Sequence, residues 1–282
     1  MMHDNTIEKL ILNTVDLPSL PPVASKVLQL VNKDGSSIAE MEDLIAKDQA
    51  FSTRILRVAN SPYYGRGRSI DTVSSAIMMI GFNTMKSLVV AASLKDMHSR
   101  FGLFEKKLWE HSLAVSITAS LIARKTRLVP DEEAMVAALL HDVGKTVLNN
   151  SMSGQYSLVI ERVFEEGIPF YNAETEMLGF NHCNVGGLIA RKWKLPKGLE
   201  AVIEYHHADD LPAFEDTSYE VMCGIVKVAD ALCLNLGIGF QMQRIIPDID
   251  IQALGLTNED MDSISVEVEE SVQQQLAELL AL

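Results

Sequence analysis

Apolar residues recur along this chain at intervals of three and four, the period of helices that bury one face. Ile38, Met41, Leu44 and Ile45 form one such stripe, and Ser37 and Glu40 ahead of it are spaced as a capping box. A second helix is expected from about residue 49, with Phe51, Ile55, Leu56 and Val58 inward, until Pro62, Gly65 and Gly67 break it. Helices are then expected over 72–80 and 83–97, with Gly81 as the stop between them. A long helix over about 106–127 follows, and Pro130 and Asp131 open another that runs through Ala134, Ala138 and Leu139 into His141 and Asp142. Residues 154–166 read as helical, ended by Gly167 and Pro169. His182 begins a helix, Pro196 restarts the chain into one that ends at His206 and His207, and Thr217 with Glu220 suggests a further capping box. Residues 257–282 read as a terminal helix. Period-2 alternation occurs only over 264–268, inside a helical context, so the fold class is all-α. The pattern pauses near residues 99–105. This divides the chain into an N-terminal helical subdomain (1–100), a helical bundle (101–240) and a C-terminal helical extension (241–282).

Composition narrows the function. With 24 Lys and Arg against 38 Asp and Glu, the net charge of −14 argues against a nucleic-acid partner, whose polyanion requires a positive field. One local exception is the basic stretch of Arg54, Arg57, Arg66 and Arg68 around Tyr63 and Tyr64. It could grip phosphate and stack bases, or its arginines could pair with carboxylates of the acidic body. Three cysteines without a C-x-x-C pair fit a reducing compartment and provide no disulfide framework. The first twelve residues carry Asp4 and Glu8 and lack a long apolar core, and no apolar run approaches the roughly 20 residues of a membrane span. A cytoplasmic protein without a membrane partner is expected.

The chemistry concentrates in histidines. His111, His141, His182, His206 and His207 are joined by Asp142, which follows His141 directly, and by Asp230, set between two alanines on a helix that otherwise reads as buried. Imidazole nitrogens and carboxylate oxygens on several helices can converge inside a bundle to hold zinc, iron or manganese. A buried aspartate needs a partner, and a cation is one. Singly, each residue also has a bland role. A histidine can be a hydrogen-bonded core group, and Asp230 can pair with Lys227 one turn earlier. Gly144 permits a tight turn after Asp142, bringing Lys145 near the site, where it can neutralise a phosphate oxygen or pair with an acid. Cys183, next to His182, reads as a buried structural thiol ahead of a soft metal ligand. Trp109 and Trp193 read as core anchors and the methionines as core filling.

The segment Leu139-Leu-His-Asp-Val-Gly-Lys145 resembles the signature of the HD superfamily of metal-dependent phosphohydrolases, and His111, His141-Asp142 and Asp230 match its ligand order. A closer resemblance is to the HDOD family, HD-related output domains of bacterial signalling proteins, over about residues 17–236. It rests on Leu17-Pro-Ser-Leu-Pro-Pro22, Arg54-Ile-Leu-Arg-Val-Ala-Asn-Ser-Pro-Tyr-Tyr-Gly65, Trp109-Glu-His-Ser-Leu-Ala114, Gly179-Phe-Asn-His-Cys-Asn-Val-Gly186 and Tyr205-His-His207. The resemblance implies an N-terminal helical part, an HD-like bundle and a role in signal transduction, acting on a signalling protein partner or a small nucleotide effector. It also implies one or two divalent transition metals (Fe, Mn or Zn). His111, His141, Asp142 and Asp230 would hold one, and His182, His206 and His207, with Asp142 bridging, a second. The alternative is a metal-dependent phosphohydrolase or phosphodiesterase acting on a nucleotide, with Asp142 and Lys145 catalytic. The related HD-GYP phosphodiesterases of cyclic di-GMP carry a Gly-Tyr-Pro triplet. Here His207 is followed by Ala208-Asp-Asp-Leu-Pro212, a departure that counts against that substrate. The terminal helix, with Leu276, Leu279 and Leu280, either packs back on the body or mediates a homodimer.

Overall fold

A computed structural model describes residues 2–19, 22–31, 37–47, 52–53, 55–56, 59–60, 70–81, 85, 89, 102–240 and 244–280. The protein is all-α: 75% of it is helical, and among the described residues there is no strand. No described helix is long and apolar enough to cross a membrane. The basic stretch with Tyr63 and Tyr64 lies outside the described residues. So does most of the helix expected over 83–97, although Met85 and Val89 are helical and buried.

The chain forms two compact units, each assembled from separated segments: residues 1–18 with 98–268, and residues 19–97 with 269–282. Residues 1–18 belong to the larger unit. The reason is a long-range anchor: Lys192 Nζ donates to the Leu17 carbonyl at 2.5 Å, and the Trp193 indole N–H donates to the Pro18 carbonyl at 3.0 Å.

In the smaller unit, α2 (Pro22–Val31), α3 (Ile38–Ala46) and α4 (Val73–Ile80) pack in sequence order. Helix α3 begins with the expected capping box between Ser37 and Glu40 and buries Met41 and Ile45. Thr72 caps α4, which ends at Gly81 with a φ of 90°, a conformation that favours glycine.

The larger unit holds α1 (Met2–Thr14), α5 (Leu103–Thr126), α6 (Asp131–Leu140), α7 (Val143–Ser151), α8 (Ser153–Glu166), α9 (Phe170–Leu178), α10 (His182–Lys192), α11 (Lys197–Tyr205), α12 (Ser218–Asn235) and α13 (Asp248–Ala253). Helix α14 (Asn258–Leu280) begins in this unit. Helix α5 is the central strut, flanked by α6 and α12, while α10 packs between α7 and α11. From Ser112 to Ala123 every α5 residue is buried, so neighbours surround its middle on all sides. Thr217 makes no side-chain cap. Asp216 takes that role by accepting the Ser218 N–H at 2.8 Å.

One cap matters for the site. Asn181 Oδ1 accepts from the N–H groups of Cys183 and Asn184, and Asn184 returns a bond to the Asn181 N–H. This fixes the first turn of α10, where His182 sits. Asn181→Ala is expected to cost about 1 kcal/mol, read as a lower denaturant midpoint with unchanged slope.

Candidate metal centre

The expected ligands sit where helices start and stop. His141 is the residue that ends α6, Asp142 precedes α7, His182 is the first residue of α10, and His206 ends α11. His111 and Asp230 lie within α5 and α12. The fold brings all of them around the Asp142 carboxylate, which is 2% exposed. Its Oδ1 lies 3.4 Å from His182 Nε2 and 3.8 Å from His206 Nε2. Its Oδ2 lies 3.3 Å from His141 Nε2 and 3.9 Å from His111 Nε2. His111 Nε2 is in turn 2.9 Å from Asp230 Oδ1. Asp230 therefore does not pair with Lys227, whose ammonium instead faces Asp209 and Asp250.

The second ring nitrogens settle the tautomers. His141 Nδ1 donates to the Ala138 carbonyl at 2.6 Å, His206 Nδ1 to the Val202 carbonyl at 3.0 Å, and His182 Nδ1 to Glu174 Oε2 at 2.6 Å. These partners only accept, so each Nδ1 carries a proton, and in the neutral ring the Nε2 lone pair points toward Asp142. At His141 burial opposes the charged ring, but the Asp142 carboxylate outweighs it and raises the pKa, so a proton takes that place when no metal does. A lone pair aimed at a carboxylate repels it, so each such place calls for a proton or a metal ion. His141 Nε2, His182 Nε2 and Asp142 Oδ1 are buried and have no hydrogen-bond partner. Such orphaned acceptors are costly in a dry interior unless a cation sits among them. Three triads place one donor atom each within 4.8 Å of one another: His111-His141-Asp230, His141-Asp142-His206 and His182-Cys183-His206. The donor set therefore fits a divalent transition metal.

His207 stands apart from these triads. Its Nδ1 lies 3.9 Å from Asp230 Oδ2 and 3.4 Å from Arg244 Nη2. Lys145 reaches the site, but its ammonium lies on Asp142 Oδ2 at 2.7 Å and over the Phe170 ring. Burial alone would push this ammonium's pKa down, yet Asp142, Asp230 and Glu174 hold it above its ordinary value. Burial likewise opposes ionisation of Asp142, but His141 and Lys145 beside it keep the carboxyl well below its usual range. Burial and the neighbouring imidazoles push His206 and His207 well down, toward the neutral form that binds metal. Burial raises the Cys183 thiol well above its usual range.

Gly144 is not at a turn. It lies inside α7, where an added Cβ would come within 1.9 Å of the His182 carbonyl oxygen. Glycine is needed there because α7 and α10 touch backbone to backbone.

Three participants carried no mark in the sequence reading. Glu174, fully buried on α9, accepts both the His182 Nδ1–H and the His182 backbone N–H through Oε2, and the Tyr156 hydroxyl at 2.6 Å through Oε1. Arg244 lines the cleft described below. Helix α9 itself was unexpected, although Pro169 before it, Phe170, Ala173, Met177 and Leu178 at helical spacing, and Gly179 after it are its signals. Glu174→Gln must leave one of its three donors without an acceptor. Metal affinity is expected to fall about 10–100-fold with the fold retained, as measured by calorimetric titration.

A cleft of about 390 Å³ leads to the centre. His207 and Asp230 line it beside Tyr171, Lys227, Arg244 and Asp250. Lys145 is not among its lining residues.

The HDOD domain pattern matches residues 17–209, more than half of the chain. This chain belongs to the HDOD family. Asp230 lies beyond the matched stretch. An HDOD domain protein of unknown function from Geobacter sulfurreducens is 27% identical and superposes with a TM-score of 0.77, covering 99% of this chain and 97% of the other. A candidate phosphohydrolase from Shewanella amazonensis SB2B is 22% identical, with a TM-score of 0.72 over 96% of this chain and 98% of its own. A candidate signal transduction protein from Marinobacter aquaeolei VT8 is 19% identical, with a TM-score of 0.73 over 99% of this chain and 65% of its own. At these identities the last two establish the fold alone. An uncharacterised protein of Treponema pallidum is 23% identical over 195 residues, 68% of this chain but 38% of that protein. YuxH of Bacillus subtilis, also uncharacterised, matches over 36% of this chain and 25% of its own length. The HDOD chain thus spans well under half of these curated relatives.

Proposed function

We propose that this HDOD protein is a signalling output module whose buried centre holds one or two divalent transition metals (iron, manganese or zinc) and which acts by binding a small nucleotide effector or a partner protein. The observation that carries the reading is the set of buried acceptors without a partner, His141 Nε2, His182 Nε2 and Asp142 Oδ1, converging on one place. The two oxygens of Asp142 face different histidines, Oδ1 toward His182 and His206 and Oδ2 toward His111 and His141, which suits two positions sharing one carboxylate. His111, His141, Asp142 and Asp230 would hold the first ion, and His182, His206 and Asp142 the second.

When bound, such ions polarise phosphoryl oxygens and lower the pKa of a bound water. Around them, the chain's own residues orient and exclude. Glu174 and the Ala138 and Val202 carbonyls hold three imidazoles in the ligating tautomer. Lys145 neutralises part of the Asp142 charge, and Phe170 covers Lys145. The cleft falls within the size range of small-molecule sites, and Arg244 next to His207 gives an effector's anionic group a point of contact among Asp209, Asp230 and Asp250.

A second reading, phosphohydrolysis of a nucleotide, draws support from the same cleft, because it leads to Asp230 and His207 rather than ending short of the centre. The test is metal content by mass spectrometry on protein purified without chelator or affinity metal, beside His141→Ala. One or two ions per chain, lost in the variant, support the centre. A folded, metal-free wild type sinks it. Turnover of a phosphomonoester or cyclic-nucleotide panel by the loaded protein, abolished in His141→Ala, would favour the second reading.

A further inference from the structure

Cys183 has no part in that reading, although its surroundings are built from ligand atoms. Its Sγ lies 3.8 Å from each ring nitrogen of His206, of which Nδ1 is engaged by the Val202 carbonyl and Nε2 is left for a metal. The donor atoms of His182, Cys183 and His206 lie within 4.8 Å of one another, all buried. His182 Nε2 and Asp142 Oδ1, 3.4 Å apart, have no hydrogen-bond partner. Asp142 Oδ1 is also 3.8 Å from His206 Nε2. Around tetrahedral zinc, bond lengths of about 2.0–2.1 Å to nitrogen and about 2.3 Å to sulfur set neighbouring donors roughly 3.4–3.6 Å apart. The spacings of 3.4 and 3.8 Å are close to that, and the His182 and Cys183 donors lie within 4.8 Å of each other.

We propose that Cys183 is a metal ligand, and that its thiolate joins His182 Nε2, His206 Nε2 and Asp142 Oδ1 in a four-donor position of two nitrogens, one oxygen and one sulfur. The inference rests on the centre being a metal site and adds a donor to it. On binding, the sulfur–hydrogen bond breaks, the proton leaves to solvent and the sulfur lone pair forms the metal bond. The other two cysteines are not so placed. Cys233 Sγ lies 3.2 Å from the Thr118 hydroxyl, and neither Cys223 nor Cys233 joins a ligand triad among the described residues. The backbone supports the assignment: Cys183 follows His182 in the first turn of α10, and Asn181 accepts its N–H.

Two consequences follow. A thiolate among the donors favours zinc or ferrous iron over manganese. With four protein donors an ion here would be held as structural zinc is, and a metal-activated water would belong to the other position.

Cobalt substitution tests this directly. Anaerobic titration of the full chain with Co²⁺ is expected to give visible ligand-field bands and a near-ultraviolet thiolate-to-cobalt charge-transfer band. The charge-transfer band should vanish in Cys183→Ser and persist in Cys223→Ser and Cys233→Ser, with circular dichroism verifying the fold of each. Ligand-field bands in wild type without the charge-transfer band, or a band that survives Cys183→Ser, would overturn the proposal while leaving the metal centre intact. No cobalt uptake by folded wild type would sink the centre itself, and this inference with it.

Discussion

Asp142→Ala is expected to abolish metal binding and to lower the melting temperature by roughly 6–20 °C, the equivalent of about 3–5 kcal/mol in a unit of this size. Two causes combine. The carboxylate is the group that all four of His111, His141, His182 and His206 face, so its loss separates the two sets of imidazoles. It is also the partner of a buried ammonium: Lys145 lies 2.7 Å away, at 5% exposure, and would be left charged with no group in contact to balance it. The stability part of the effect therefore depends on Lys145. In the double variant Asp142→Ala, Lys145→Met most of the lost stability should return, while metal binding stays lost. A thermal melt and a metal titration on the four proteins of this cycle separate the two effects. Equal melting temperatures for wild type and Asp142→Ala would contradict the buried pair.

The second large effect comes from a methyl group. Gly144→Ala sets a Cβ 1.9 Å from the His182 carbonyl oxygen and 2.7 Å from its carbon. These are backbone atoms, so rotamer changes bring no relief, and α7 must move away from α10 by more than 1 Å to restore ordinary contact. Overpacking of this kind costs about 3 kcal/mol. The same displacement carries His182 away from Asp142, so metal affinity should fall with stability. Gly154→Ala is the opposite case. Gly154 lies in helix α8 with nothing within 4 Å of the added Cβ, and the substitution should stabilise by about 0.5–1 kcal/mol. Denaturation midpoints of the two variants should move in opposite directions. A Gly144→Ala protein as stable as wild type would contradict the close approach of the helices.

What could be read from the sequence was local. The histidines at 141, 182 and 206 read as helix ends because the pattern beside them is strong: an apolar run stops at His141, Val185, Leu188 and Ile189 follow His182 at helical spacing, and Pro196 opens the helix that closes at His206. The resemblance to the HD signature then paired them with His111 and Asp230. Helix α9 was hidden because Gly167 and Pro169 read as an end, although Pro169 also precedes a new helix. With it went Glu174, one of two acids in the surface-like sequence Asn-Ala-Glu-Thr-Glu, whose burial arises only when α9 meets α10. Gly144 was read as a turn residue because a glycine after His-Asp suggests one. Its actual constraint is a neighbour 38 positions later, which no local pattern encodes. The discontinuous units were invisible for the same reason.

The anchor at the chain start carries a cost in time. Ile11 and Val15 are buried, α1 packs on α10, and the carbonyls of Leu17 and Pro18 find their donors 175 residues downstream. A 13-residue helix is marginal in isolation. At about 5–20 residues per second, a ribosome needs roughly 9–35 s to deliver Lys192 and Trp193 after Leu17 and Pro18. Throughout that interval the stretch around Ile11 and Val15 is an apolar segment without its mate. The helix that precedes Leu17 and Pro18 is thus made long before its partner on α10, and for that time it is a segment a chaperone can hold.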